Sequence, residues 1–230
     1  NEYLSAMTDI IMGNRGTVDK YEGDAIMAFW GAPLVYPEHP YQACISAVEM
    51  QRRLVEMRKV WKAEGRHELK VRMGINSGQA VAGNMGSRTR MNYTVMGDSV
   101  NLASRLEGAN KVYGTYTMVS GHTHAAVKDQ FSFRELDTIR VVGKSEPVTV
   151  YELLELPGQV PERTQEVVAH YERGLALYKQ RRWKEAMVGF VRALKLDMED
   201  APSMLYYRRC RAYEKTPPPA TWDGVSNLSS

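Results

Sequence analysis

The stretch that most constrains this chain is Tyr93-Thr-Val-Met-Gly-Asp-Ser-Val-Asn-Leu-Ala-Ser-Arg-Leu-Glu107, which reads as a strand, a tight turn and a helix. Tyr93 and Val95 suit a strand running up to Gly97, and Asp98 is placed to cap the helix that follows. Asn101 and Arg105 then fall four residues apart on one helix face, while Val100, Ala103 and Leu106 supply a face to bury. An amide and a guanidinium aimed the same way suit an anionic ligand, because guanidinium offers paired donors in a fixed plane. For one Asn and one Arg alone, a solvated helix face is the simpler reading. The weight therefore rests on the rest of the chain.

Composition narrows the choices. With 230 residues and 43% hydrophobic content, the chain is long enough for one globular domain plus an appendage. The 30 basic and 27 acidic side chains nearly cancel, and there is no dense Lys/Arg block interleaved with aromatics, so no nucleic-acid partner is expected. Cys44 and Cys210 sit in separate helix-like segments, which points to reduced, non-catalytic thiols in a cytoplasmic setting. The longest apolar run, residues 25–36, is broken by Gly31 and Pro33 and is too short to cross a bilayer; no signal peptide opens the chain. The first residue is Asn1 rather than Met, which implies upstream sequence with room for a sensor or a membrane anchor.

Taken in order, residues 2–14 carry Tyr3, Leu4, Met7, Ile10 and Ile11 at helical spacing. Two short strands, 16–20 and 25–30, follow as a hairpin in which Gly23 supplies the turn and Asp24 stands at the edge of the second strand. A long amphipathic helix is predicted from Pro40 to about Lys62, a strand over 69–82, and then the opening motif. A strand at 116–119, a short helix at 122–127 and a hairpin of 131–142 with 148–156 complete a mixed α+β domain. His122 and His124 lack neighbouring carboxylate or thiol ligands and read as a helix start. Residues 157–163 form a linker, and 164–215 are all helix. There Gly174, Ala186, Phe190 and Ala193 fall at the spacing of a tetratricopeptide repeat, although Met198 stands where that pattern usually has proline. A single repeat cannot bury its apolar face alone, so it is expected to pack on the first domain or on a protein partner. The tail, 216–230, reads as polar and extended.

Three separated motifs in order carry a resemblance: Asp19-Lys-Tyr-Glu-Gly-Asp-Ala-Ile-Met-Ala-Phe29, then Tyr93 to Arg105, then Val142-Gly-Lys144. Together they resemble the class III nucleotidyl cyclase catalytic domain over residues 1–156. The resemblance implies a ferredoxin-like core working as a head-to-tail homodimer, with a small all-α C-terminal appendage. It also implies conversion of a nucleoside triphosphate to its 3′,5′-cyclic monophosphate and pyrophosphate, with two Mg2+ ions, or Mn2+, held by two aspartates. Asp24 matches the second of these. Asn101 and Arg105 match the pair that orients the ribose and offsets charge on the α-phosphate, and Lys144 matches a lysine that contacts the terminal phosphates. Lys20 and Thr94 match the base-reading positions. Adenine offers an acceptor at N1 and a donor at its exocyclic amine, so an ammonium and a hydroxyl favour ATP over GTP. Arg88 and Arg90 lie where some members place a phosphate-contacting arginine, but the local length differs and neither is assigned that part.

The family's first metal aspartate belongs to a strand ahead of the helix at 2–14, and this chain begins after it. Asp9 belongs to the helical pattern and does not replace that residue. Loss of the strand would remove a metal ligand and backbone pairing on either side, so the isolated chain is expected to be inactive with Mg-ATP and marginally stable. Adenylate cyclase is the leading reading. The alternatives are a degenerate cyclase-like module for nucleotide binding or dimerisation, and a guanylate cyclase.

Overall fold

The structure is a computed structural model that describes residues 2–87, 89–141 and 146–228. It is mixed α+β: α1 (Glu2–Gly13), β1 (Thr17–Glu22), β2 (Ala25–Phe29), α2 (His39–Ala63), β3 (Met73–Ile75), β4 (Val81–Ser87), β5 (Arg90–Met96) and α3 (Asp98–Tyr113) come first. There follow β6 (Thr117–Ser120), α4 (Gly121–Val127), β7 (Ser132–Val141), β8 (Val148–Glu155), α5 (Glu162–Lys179), α6 (Trp183–Leu196), α7 (Ala201–Lys215) and β9 (Ser226–Leu228).

A five-stranded sheet in the order β3-β6-β8-β7-β9 carries helices on both faces. On one face Met118, Leu136, Ile139 and Val150 pack against Leu102, Leu106, Ala109 and Tyr113 of α3. On the other, Val119 and Leu153 meet Cys44, Ala47 and Val48 of α2, with Val127 of α4 and Phe131 beside them. The alternation of Met118 with Val119 is what period-2 side-chain geometry requires of a strand covered on both sides. The hairpins β1–β2 and β4–β5 are each two-stranded sheets of their own. Although β2 and β3 do not pair, Ile26 of β2 and Met73 of β3 both pack on the α1–α2 cluster of Met7, Leu54, Met57 and Trp61.

A bulge in β7 anchors the C-terminal helices. Glu135 pairs with Tyr151 and Asp137 with Val150, so Leu136 between them drops out of the ladder. Its freed carbonyl accepts the hydroxyls of Tyr206 at 2.7 Å and Tyr171 at 3.2 Å, from α7 and α5. The helical segment thus packs on the first domain. The tail adds β9 in parallel to the end of β7, pairing Ile139 with Ser226 and Val141 with Leu228.

Two expectations are corrected. The single strand over 69–82 is two elements, β3 and β4, with irregular chain between. Gly74 is pressed so closely on α3 that a Cβ would stand 2.2 Å from the Ala103 carbonyl oxygen, and Asn76 leaves the ladder to donate to Ser99 O at 3.0 Å. The cap of α3 is Gly97, at φ +137°, with Asp98 already in the first turn; glycine alone adopts that backbone readily. The buried stripe of α3 consequently centres on Leu102, Leu106, Ala109 and Tyr113, while Val100 and Ala103 are only half-buried.

Candidate active site

The site assembles where the two hairpins meet the start of α3. In the first hairpin, Glu22 pairs with Ala25, and Gly23 at φ +66° makes the turn that leaves Asp24 exposed at the entry to β2. On α1, burial raises the Tyr3 phenol pKa, and the Asp24 carboxylate raises it further.

On β1 the ladder is irregular. Val18 pairs with Ala28 and Lys20 with Met27, so Asp19 is an extra residue in a bulge. Bulges re-aim side chains, and this one directs Asp19 towards β5. Its Oδ2 accepts the Thr94 hydroxyl at 2.5 Å and the Val95 backbone N–H at 3.2 Å. The neighbouring Lys20 is exposed on the same strand. A tilted ring contact between Phe29 and Tyr93, with centroids 6.0 Å apart, supports the same junction. Thr94 is half-buried and lies across the β4–β5 ladder from Gly83, where an added Cβ would meet nothing within 4 Å. The surface beside Thr94 is therefore open.

From Gly97 the chain turns into α3, where Val100 N and Asn101 N both donate to the Gly97 carbonyl. Asn101 and Arg105 are exposed, next to the buried Leu102 and Leu106 that fix the rotation of the helix. Thus the structure joins β1, which carries Lys20, to Thr94 through Asp19, and places Asn101 and Arg105 on the helix that β5 feeds. Lys144 and Arg88 lie outside the described residues; Arg90 opens β5, paired with Ser87. Asp19 lies within the first of the three motifs, and nothing in its local sequence assigns it a part. Its signal was two adjacent polar residues, Asp19 and Lys20, breaking the alternation of a short strand.

Among the described residues no group of three or more His, Cys, Asp or Glu side chains converges as a metal site. Asp24 alone does not make up the oxygen set that a divalent cation needs, so no chemical step is derived through a metal here.

The family model for the adenylate and guanylate cyclase catalytic domain matches residues 1–155. The chain belongs to this family. It is 38% identical over 154 residues to adenylate cyclase 1 of Rhizobium meliloti, a match covering 67% of this chain and 23% of that protein. A second match, to the terminal-differentiation-specific adenylate cyclase of Dictyostelium discoideum, is 31% identical over 225 residues and covers 94% of this chain and 10% of that protein. The chain therefore spans less than a quarter of the length of either relative. Among solved structures, the adenylyl cyclase CyaB from P. aeruginosa superposes with a TM-score of 0.64 at 34% identity, covering 70% of this chain and 83% of that one. The guanylyl cyclase Cya2 gives 0.60 at 31% identity, covering 69% and 80%. The α+β architecture is that of the class III cyclase domains, and the cyclase family supports nucleotidyl cyclase chemistry.

Proposed function

We propose that the chain is the catalytic region of an adenylate cyclase, in which the ribose 3′-oxygen of ATP attacks the α-phosphorus, pyrophosphate leaves and the 3′-hydroxyl proton is lost. The observation that carries the choice of base is the β1–β5 junction, where Asp19, next to Lys20 on β1, holds Thr94 of β5. The Lys20 ammonium donates to adenine N1, and the Thr94 hydroxyl accepts from the exocyclic amine. Guanine reverses both polarities. The adenylyl and guanylyl cyclases among the solved structures resemble this chain to similar degrees, so overall likeness does not choose the base; these two side chains support the reading of ATP.

Asn101 orients the ribose. Arg105 offsets charge that grows on the α-phosphate as the new bond forms, an interaction stronger in the transition state than in the ground state. Lys144 holds the terminal phosphates. Class III cyclases generally use Mg2+ or Mn2+; Asp24 would be this chain's contribution to holding such an ion, which would offset charge on the triphosphate. The working form is a head-to-tail homodimer, in which Asp24 of one copy serves the nucleotide held by Asn101 and Arg105 of the other.

Nucleotide binding tests the base assignment. The chain is expected to prefer ATP to GTP, and Lys20→Glu combined with Thr94→Cys is expected to move that preference towards GTP. Full retention of ATP preference in the double variant would overturn it. Cyclisation is read in the full-length polypeptide, where Asp24→Ala and Arg105→Ala should each lower cAMP formation by about 10²-fold or more and a mixture of the two should partly restore it. Failure of the mixture to recover any activity would remove the shared-site dimer.

A further inference from the structure

A threonine hydroxyl carries one proton and two lone pairs, so by itself it reads either polarity: it accepts from an amine or donates to a carbonyl oxygen. A base-reading threonine that is free to turn discriminates poorly. In this chain the turn is already decided. The Thr94 hydroxyl donates to Asp19 Oδ2 at 2.5 Å, and hydrogen bonds to an ionised carboxylate are the stronger kind.

The acceptor is itself pinned. The same Oδ2 takes the Val95 N–H at 3.2 Å, a backbone donor on the strand that carries Thr94. Swinging the carboxylate away would orphan a backbone donor beside the buried Val95 as well as the hydroxyl proton. The bulge supplies the reach: Asp19 has no partner across the β1–β2 ladder, so its side chain is directed to β5.

We propose that Asp19 is the specificity-determining positioning residue of the base site: by consuming the Thr94 proton it leaves that hydroxyl able only to accept, so that the site favours a purine whose 6-substituent donates. This rests on Thr94 facing the base. Asp19 acts through Thr94 and need not touch the nucleotide. The open surface across from Thr94, at Gly83, leaves room for the 6-substituent to approach the exposed lone pairs. A purely structural role, tying the two hairpins together, predicts lost stability with no change in which nucleotide is preferred.

The test is competition of unlabelled nucleotides against a fluorescent ATP analogue on the full-length polypeptide. ATP is compared with 6-methoxypurine riboside triphosphate, which keeps N1 as an acceptor and replaces the donating amine by an accepting oxygen. The unaltered protein should prefer ATP by about tenfold, the scale of one hydrogen bond gained against one lost polar partner. Asp19→Ala frees the hydroxyl to donate, and the ratio should fall to about threefold or less; Asp19→Asn, whose carbonyl oxygen still accepts both protons, should keep most of it. Thr94→Val should also collapse the ratio. If Thr94→Val collapses it and Asp19→Ala leaves it at the unaltered value, the Asp19 proposal is wrong and the base assignment stands. If Thr94→Val leaves the ratio unchanged, the base assignment itself is wrong and this inference goes with it. Circular dichroism checks each fold. Should Asp19→Ala not fold, the unaltered protein decides, because equal affinity for ATP and the 6-methoxy analogue overturns a hydroxyl fixed as acceptor.

Discussion

Two strand bulges in this molecule are put to opposite uses. At Leu136 in β7, the groups around the freed carbonyl close on the chain itself. Arg134 spans Glu152 and Asp200, both at 2.6 Å, and is 6% exposed. Asp137 Oδ2 accepts from Tyr113, Arg209 and Ser226, each at 2.7 Å, drawing α3, α7 and the tail onto one buried oxygen. At Asp19 in β1 the carboxylate is likewise satisfied, yet Lys20 next to it is exposed, as are Asp24 in the same hairpin and Asn101 and Arg105 on α3. Burial with the charged groups answered from within the chain makes a joint; positioned polar groups left facing outward suit a ligand.

Substitutions should separate the two regions by what they damage. The largest effect is expected at the joint. Arg134→Ala leaves Glu152 and Asp200 without their countercharge, and breaking a buried charge set from one side costs about 3–5 kcal/mol. Urea unfolding should show that loss; a change under about 1 kcal/mol would mean that water or relaxed side chains replace Arg134 readily. At the site the expectation is reversed. Arg105→Ala should lower turnover of the full-length polypeptide by about 10²–10³-fold, the scale of losing one positioned donor to developing charge. Its urea midpoint should scarcely move, because the side chain is exposed. An unfolding shift as large as that of Arg134→Ala would place Arg105 in the framework instead.

A smaller effect belongs to the connection between the regions. Gly114 ends α3 in the left-handed conformation, at φ +67°, and an added Cβ would stand 2.3 Å from Ala201 Cβ at the start of α7. Gly114→Ala combines backbone strain with a clash, for a loss of about 1–3 kcal/mol on unfolding. If catalysis also falls, α7 transmits its position to the helix bearing Asn101 and Arg105. Unchanged turnover with reduced stability would confine the joint to holding the fold together.

How much of this was legible depends on the range of the interactions. The strand, turn and helix of the opening motif are written locally and all three are present, although the cap is Gly97 rather than Asp98 and the buried stripe is Leu102, Leu106 and Ala109. The helices α5 to α7 are similarly local. The face of α3 was misjudged because rotation is set by where Gly97 releases the chain and by the sheet beneath, not by the first apolar residues met. The strand over 69–82 failed for a long-range reason: Gly74 needs α3 against it, and Asn76 needs Ser99. Both bulges depend on pairing between distant segments, so the alignment of Asp19 with Thr94 could not be read from either strand alone.

The smallest expected effect concerns the thiols, which distinguish buried packing from reactive chemistry in the same molecule. Burial pushes Cys44 from its ordinary 9.0 up to about 12, and Cys210 likewise to about 12. Both are free and buried, so at pH 8 neither should react with iodoacetamide in the native state, and both should react once urea exposes them. The sign of the linked pH effect follows from the direction of the shift. A folded pKa above the unfolded one favours the protonated thiol, so this contribution is complete below pH 9 and is lost as pH rises from about 9 towards 12. Replacing both cysteines by alanine should therefore flatten the alkaline fall in stability and leave nucleotide preference at neutral pH untouched. Rapid native labelling of Cys44 would instead show that α2 opens from the sheet, and that the face of the sheet opposite α3 is looser than its packing implies.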